Sequence, residues 1–187
     1  MELLYKNLCN KKSDIHQHLP TLKEYSSKCD TVTEFGVRRG VSTCALLLGK
    51  PKKLTCYDIN KHSKLPLDKY KQFSIQNNID FSFNLTDVLL TKIEETELLF
   101  IDTFHTYTQL SRELYLHGGM VSKYIIFHDT FTFGEVGEDN KSPGLSKAIT
   151  EFLDINLDWW IKKIYKHNNG LTIISKKKEN DFESIWI

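Results

Sequence analysis

Four acids define the chemistry open to this chain: Glu34, Asp58, Asp102 and Asp129. Each stands at or near the carboxyl end of a stretch that reads as a β-strand. In an open parallel sheet, ligands bind just beyond those strand ends. Taken singly, any of these acids serves equally well as a helix cap. As a set they point to a site, because carboxylates are rarely buried without partners.

Glu34-Phe-Gly36-Val-Arg38-Arg-Gly40-Val-Ser42 is the densest stretch. β-Branched and aromatic residues lead up to Phe35, and Gly36 and Gly40 allow a tight turn. Ser42 or Thr43 is then a candidate cap for a helix. Strand, glycine turn and helix start together suit a small cofactor at a sheet edge. The spacing is not that of a dinucleotide fingerprint. Arg38 stands where that motif needs a glycine for pyrophosphate approach. Asp58 ends the next strand, where a carboxylate can take ribose hydroxyls, with Ile59 beside it. Asp87 follows a third strand, at the place for a cofactor's base.

The elements that must position these residues follow from periodicity. Strands are expected at about 31–36, 54–59, 80–87, 97–102 and 123–129, with the fourth and fifth almost wholly apolar, as buried parallel strands are. Helices are expected at about 42–49, 67–76, 107–117 and 143–153, the last opened by Pro143. Thr106 is the expected cap of the third of these. Trp159–Tyr165 and Gly170–Ser175 form a closing hairpin around Asn168-Asn169-Gly170. Trp159 and Trp160 should face opposite sides of their strand. A further helix is expected over 13–29, capped by Ser13 or Asp14 and interrupted or delayed by Pro20. The fold class is α/β, a mostly parallel seven-stranded sheet with a C-terminal antiparallel hairpin. Residues 1–30 read as an N-terminal helical segment and 31–187 as the cofactor-binding domain.

Composition excludes several classes. The chain has 187 residues, 40% hydrophobic and 26% charged, which is enough for one domain with a core. The net charge of +1 argues against nucleic acid as a partner. The chain start lacks a long apolar run, so a signal peptide is not expected, and no apolar run approaches membrane-span length. Cys9, Cys29, Cys44 and Cys56 form no CxxC pair, so a zinc site is not expected and a reduced cytoplasmic setting fits. Cys44 and Cys56 are expected in the core. His16, His18, His62, His117 and His167 are expected at the surface.

TEFGVRRGVST at 33–43, YDI at 57–59, IDTFHTY at 101–107 and IIFHDTFTFG at 125–134 together resemble a class I S-adenosylmethionine-dependent methyltransferase. Within that class they are similar to the small-molecule and sugar O-methyltransferases related to cephalosporin-hydroxylase-type proteins. The resemblance implies a Rossmann-like methyltransferase sandwich. It implies that Glu34, Gly36 and Gly40 hold the methionine part of S-adenosylmethionine, with Asp58 on the ribose and Asp87 near the adenine. Arg38, Ser42, Ile59 and Asp102 are the other expected cofactor contacts.

On the acceptor side, some relatives bind a divalent ion at the ends of the fourth and fifth strands, where this chain has Asp102 and Asp129. Carboxylate oxygens suit Mg²⁺; equally, Asp102 can orient His105 and Asp129 can cap the following loop. His105 and His128 are the candidate bases for methyl transfer to oxygen, with Asp129 beside them. The acceptor implied is a hydroxyl of a sugar or other small polar metabolite. The alternative is a cofactor-binding module with a regulatory or scaffold role, or one that breaks the cofactor down without an acceptor. The long 131–142 loop is a candidate lid. The apolar tail Phe182–Ile187 is a candidate contact between copies of the chain.

Overall fold

Alternation along the strands decides the layers. Leu98 and Phe100 face one side of the sheet, while Leu99 and Ile101 face the other. Ile173 and Ile174 divide in the same way. Strands that are apolar on both faces need cover on both, and the helices supply it. A computed structural model describes residues 1–177.

The strands are β1 (Thr31–Phe35), β2 (Lys53–Asp58), β3 (Asp80–Leu85), β4 (Thr96–Ile101), β5 (Val121–His128), β6 (Trp159–Tyr165) and β7 (Leu171–Lys176). The helices are α1 (Glu2–Asn10), α2 (Leu19–Ser26), α3 (Val41–Leu48), α4 (Leu67–Gln76), α5 (Tyr107–His117) and α6 (Leu145–Ile155). They form one seven-stranded sheet in the order β3-β2-β1-β4-β5-β7-β6. The first five strands run parallel, and β7 is antiparallel to both β5 and β6. Leu19, Leu22, Leu46, Leu47 and Tyr70 bring α2, α3 and α4 onto one face. Leu110, Leu114, Ile149 and Phe152 bring α5 and α6 onto the other. The strand order reverses between β1 and β4, so the crevice beyond their carboxyl ends is where a ligand fits.

The expected fold is therefore the observed one. Cys44 and Cys56 are buried, Trp159 is buried, and its neighbour Trp160 is 43% exposed on the opposite side. Thr106 caps α5 by accepting from the Gln109 amide.

The N-terminal segment differs from expectation. The helix foreseen over 13–29 is a single turn at His16–His18 followed by α2. Pro20 sits in the first turn of α2, where a missing N–H breaks no bond, so it opens the helix and does not interrupt it. Neither Ser13 nor Asp14 caps it. α1 was not foreseen. It buries no residue fully and rests Leu4, Tyr5, Leu8 and Cys9 on the core, which leaves a weak sequence signal. Ser42 and Thr43 do not cap α3 either; Gly40 does, with φ +76°, and both hydroxyls are used elsewhere. Pro143 lies just outside α6, which Gly144 caps.

Two histidines expected at the surface are buried, His18 and His117. His117 Nε2 meets the Val88 carbonyl at 2.8 Å and so ties α5 to the 87–90 turn. His18 Nε2 meets the carbonyls of His167 and Asn168 in the hairpin turn. The tail at 182–187 lies outside the described residues. Among the described residues no helix is long and apolar enough to cross a membrane.

Candidate functional site

The turn after β1 is built by close backbone approach. Gly36 has φ +83°, and a Cβ there would come within 1.9 Å of the Asp102 carbonyl oxygen. Only glycine lets the β1 and β4 ends lie this close. Arg38 follows with φ +49°, a strained left-handed angle for a side chain of its size. Asp58 rewards it: its Oδ2 accepts from the Val37 and Arg38 amides, both at 2.8 Å. Its Oδ1 accepts from the Asn60 amide at 2.8 Å. Three of the four or so lone-pair sites of the carboxylate are thus taken, and about one remains for a ligand.

Glu34 corrects the expectation that it touches a cofactor. It is fully buried beneath the turn. Ser42 donates to Oε1, and Thr43 and Cys56 donate to Oε2 at 2.6 Å and 3.1 Å. Burial pushes its carboxyl up to about 7, against the three hydrogen bonds that favour the charged form. Glu34 braces strand, turn and helix from inside. Gly40 is likewise covered, by Leu65 and by Tyr70, whose hydroxyl donates to its carbonyl at 2.7 Å.

Two cavities open over this turn. The first, of about 450 Å³, is walled by Asp58, Ile59, Asp87, Val88, Thr103, Phe104 and Gln109. The second, of about 740 Å³, is walled by Asp14, Arg39, Ser42, His105, Asp129, Phe133 and Glu138. They meet at Gly36, Arg38 and Asp102–Phe104. Asp87 Oδ1 accepts from the Leu89 amide at 2.8 Å, which fixes the far wall of the first cavity.

Asp102, His105, His128 and Asp129 come together from the ends of β4 and β5. His128 Nδ1 lies 3.2 Å from Asp102 Oδ1 and 3.0 Å from Asp129 Oδ2, and its Nε2 lies 3.2 Å from the Asp14 carbonyl. His105 Nε2 lies 3.2 Å from Asp102 Oδ1 and 3.0 Å from Asp129 Oδ2, and its Nδ1 lies 2.9 Å from Glu138. Every ring nitrogen of both residues therefore faces only acceptors. A ring that donates from both nitrogens is an imidazolium, the form that these acceptors favour. Burial alone would lower both histidines, but the Asp102 and Asp129 carboxylates outweigh it and raise each to about 10. The same contacts overcome burial at Asp129 and hold its carboxyl well below the usual range. Asp129 also sits at φ +60°, a second strained position at the site. Its Oδ1 is buried without a hydrogen-bond partner.

This geometry bears on the expected bases. A doubly protonated imidazole has no lone pair to offer, so in this arrangement His105 and His128 act as donors. The carboxylates are the acceptors. Ligand atoms of Asp102, His128 and Asp129 lie within 4.8 Å of one another; with the His128 ring doubly protonated, the two carboxylates are what offer lone pairs to a divalent ion.

Several site residues were not singled out in the sequence. Asp14 pairs with Arg38 at 3.0 Å, and Asn168 holds the Ser13 carbonyl and the Gln17 amide, so Ser13, Asp14 and Ile15 are held as a wall of the second cavity. Glu138 clips the 131–142 loop onto His105 through its carboxylate and its own amide. Phe133 stacks on the His105 ring at 5.0 Å. The length and acidity of the loop pointed to it, but nothing local marked Glu138 among its acids. Tyr107 turns away from both cavities to Glu151 on α6.

Comparison with known proteins supplies the fold and no closer kinship. No protein-family model matches the chain, and no curated protein matches it in sequence. Solved structures do match. An S-adenosylhomocysteine-bound methyltransferase from Podospora anserina superposes with a TM-score of 0.62 at 16% identity, covering 90% of this chain and 80% of that one. An O-methyltransferase from Bacillus cereus in complex with S-adenosylhomocysteine gives 0.60 at 16%, covering 86% and 81%. A 1,6-didemethyltoxoflavin-N1-methyltransferase from Burkholderia thailandensis, with its acceptor and S-adenosylhomocysteine bound, gives 0.60 at 11%, covering 90% and 80%. The chain has the Rossmann-like fold of class I S-adenosylmethionine-dependent methyltransferases. Oxygen and nitrogen acceptors both occur among these neighbours, so the fold does not choose the acceptor.

Proposed function

We propose that this protein is an S-adenosylmethionine-dependent methyltransferase acting on a hydroxyl of a sugar or other small polar metabolite. The pair of adjoining cavities carries this reading. One has carboxylates at Asp58 and Asp87 with apolar walls at Ile59 and Phe104, which suits a nucleoside. The other is charged and polar, and the two meet at Gly36 and Asp102. A methyl group carried from one to the other must cross that junction.

When bound, S-adenosylmethionine supplies an electrophilic methyl on a sulfonium. Asp58 takes a ribose hydroxyl on its remaining site, and Ile59 packs against the base. Asp102 and Asp129 accept a hydrogen bond from the acceptor hydroxyl and so aim its lone pair at the junction. As the new C–O bond forms and the methyl C–S bond breaks, leaving S-adenosylhomocysteine, the acceptor oxygen becomes strongly acidic. A carboxylate of low basicity, with Asp129 Oδ1 unpartnered, is then enough to receive its proton. His105 and His128 hold the two carboxylates in place and balance their charge. Phe133 on His105 offers an apolar ring to the flat face of a sugar. Mg²⁺ belongs to the same proposal: Asp102 and Asp129 would hold it, and it would lower the pKa of an acceptor hydroxyl.

The test is S-adenosylhomocysteine production over a panel of sugars, polyols and phenols, with and without EDTA. Acceptor-dependent product is expected. Asp129→Asn should cut turnover by about a hundredfold or more while cofactor affinity changes less than threefold. A folded protein that binds no S-adenosylmethionine in calorimetry overturns the proposal.

A further inference from the structure

α5 and α6 leave a groove between their last turns that shares no residue with either cavity. It encloses about 410 Å³. Leu114, Ala148 and Phe152 form a buried floor, while Tyr115 and Ile155 stand 89% and 80% exposed beside it. Its polar side chains are already engaged. Glu151 accepts from the Tyr107 hydroxyl at 2.7 Å, Asn156 Nδ2 donates to the Phe152 carbonyl at 2.8 Å, and Ser111 donates to the Thr108 carbonyl at 3.3 Å. What is left to cover is apolar, and large exposed apolar side chains grouped in this way mark a contact surface.

The end of β7 indicates what covers it. Lys177 donates its amide to the Asp158 carbonyl at 2.7 Å and its Nζ to the Leu157 carbonyl at 3.0 Å. Lys176 pairs with Asp158 at 3.3 Å. The chain is therefore pinned at residues 157–158, directly after Asn156 of the groove. Residues 178–187 follow in the sequence, and Phe182, Ile185, Trp186 and Ile187 among them are apolar. The four residues before Phe182 reach about 14 Å when extended. The groove runs from Ala148 to Asn156, about 12 Å of helix. A segment on so short a tether meets the groove at an effective concentration in the millimolar range, which a second copy in dilute solution does not match.

We propose that the chain's own residues 182–187 cover the α5–α6 groove, their apolar side chains packing on Tyr115, Phe152 and Ile155. The partner is intramolecular, and the proposal stands apart from the methyltransferase reading.

Amide hydrogen exchange of the 187-residue chain tests it, at two protein concentrations about a hundredfold apart. Amides 182–187 should exchange about tenfold or more slower than in a free peptide of residues 178–187, and equally at both concentrations. Ile155→Lys and Tyr115→Ser change exposed positions and so leave the fold intact. Each should cut the protection of 182–187 by about threefold or more. Free-peptide exchange in the wild-type chain overturns the proposal, and so does protection that survives both variants. Protection that grows with concentration, together with a dimer mass in light scattering, overturns it as well and gives the groove to a second copy.

Discussion

Asp102 Oδ1 is met by two imidazoles, His105 Nε2 and His128 Nδ1, each at 3.2 Å. One carboxylate thus helps hold two positive charges in a half-buried place. Removing its charge while keeping its shape should release both. In Asp102→Asn, histidines 105 and 128 should titrate about one to three pH units lower than in the wild type. Histidine ring NMR in EDTA-treated protein reads this directly. Unchanged titration would mean that Asp129 alone keeps the rings protonated. Glu34 shows a different economy at the same scale. Its neighbours Ser42, Thr43 and Cys56 come from α3 and β2, so one side chain joins three elements beneath the turn. The sequence placed an acid at the strand end. It could not say whether that acid faced a ligand or the core, because both fates put it at the same position.

At the scale of the element, the β1–α3 turn depends on one glycine. Gly36→Ala would need a left-handed angle and a Cβ within 1.9 Å of the Asp102 carbonyl oxygen. That oxygen is backbone and cannot swing away. The substitution should destabilise the chain by about 3 kcal/mol or more and remove cofactor binding. Gly119 is the contrast, with nothing within 4 Å of an added Cβ. Gly119→Ala should stay within about 0.5 kcal/mol of the wild type in urea unfolding. The turn was legible because glycine spacing is a local signal. The 13–18 segment was not, because what fixes it is remote: Asn168, the hairpin carbonyls and Arg38. No local pattern marks a residue whose partner lies about 150 positions away.

The whole molecule carries several buried titratable groups, and their shifts set its pH response. Glu34 and Glu113 are raised to about 7, so the folded chain binds more protons than the unfolded one between about 4.5 and 7. Stability falls with rising pH across that range. His18 is lowered to about 4 by burial, and His117 is lowered for the same reason, so they act oppositely up to about 6.5. His105 and His128 are raised to about 10, and the stability they contribute below 6.5 is lost as pH rises to 10. Asp129 is held low, so its contribution is lost in acid below its unfolded pKa near 3.8. Urea midpoints should therefore show a plateau from about pH 4.5 to 6.5, a steady decline to pH 10 and a fall below pH 4. A midpoint that rises from pH 7 to 9 would contradict the paired histidines.

The strands, their order of appearance, the glycine turn and the acids at the strand ends were all legible in the residues alone. Period-two apolar runs, glycine spacing and an Asn-Gly turn are local, and each is written in neighbouring residues. Tertiary structure decided which of those acids face a cavity. It turned Glu34 inward and Asp58 half toward the backbone of the turn, and it made His105 and His128 donors by surrounding them with acceptors. It also brought Asp14 and Glu138 to the site from distant parts of the chain. Burial and partners set what a carboxylate or an imidazole can do, and both arise only when the sheet closes the distances between strands.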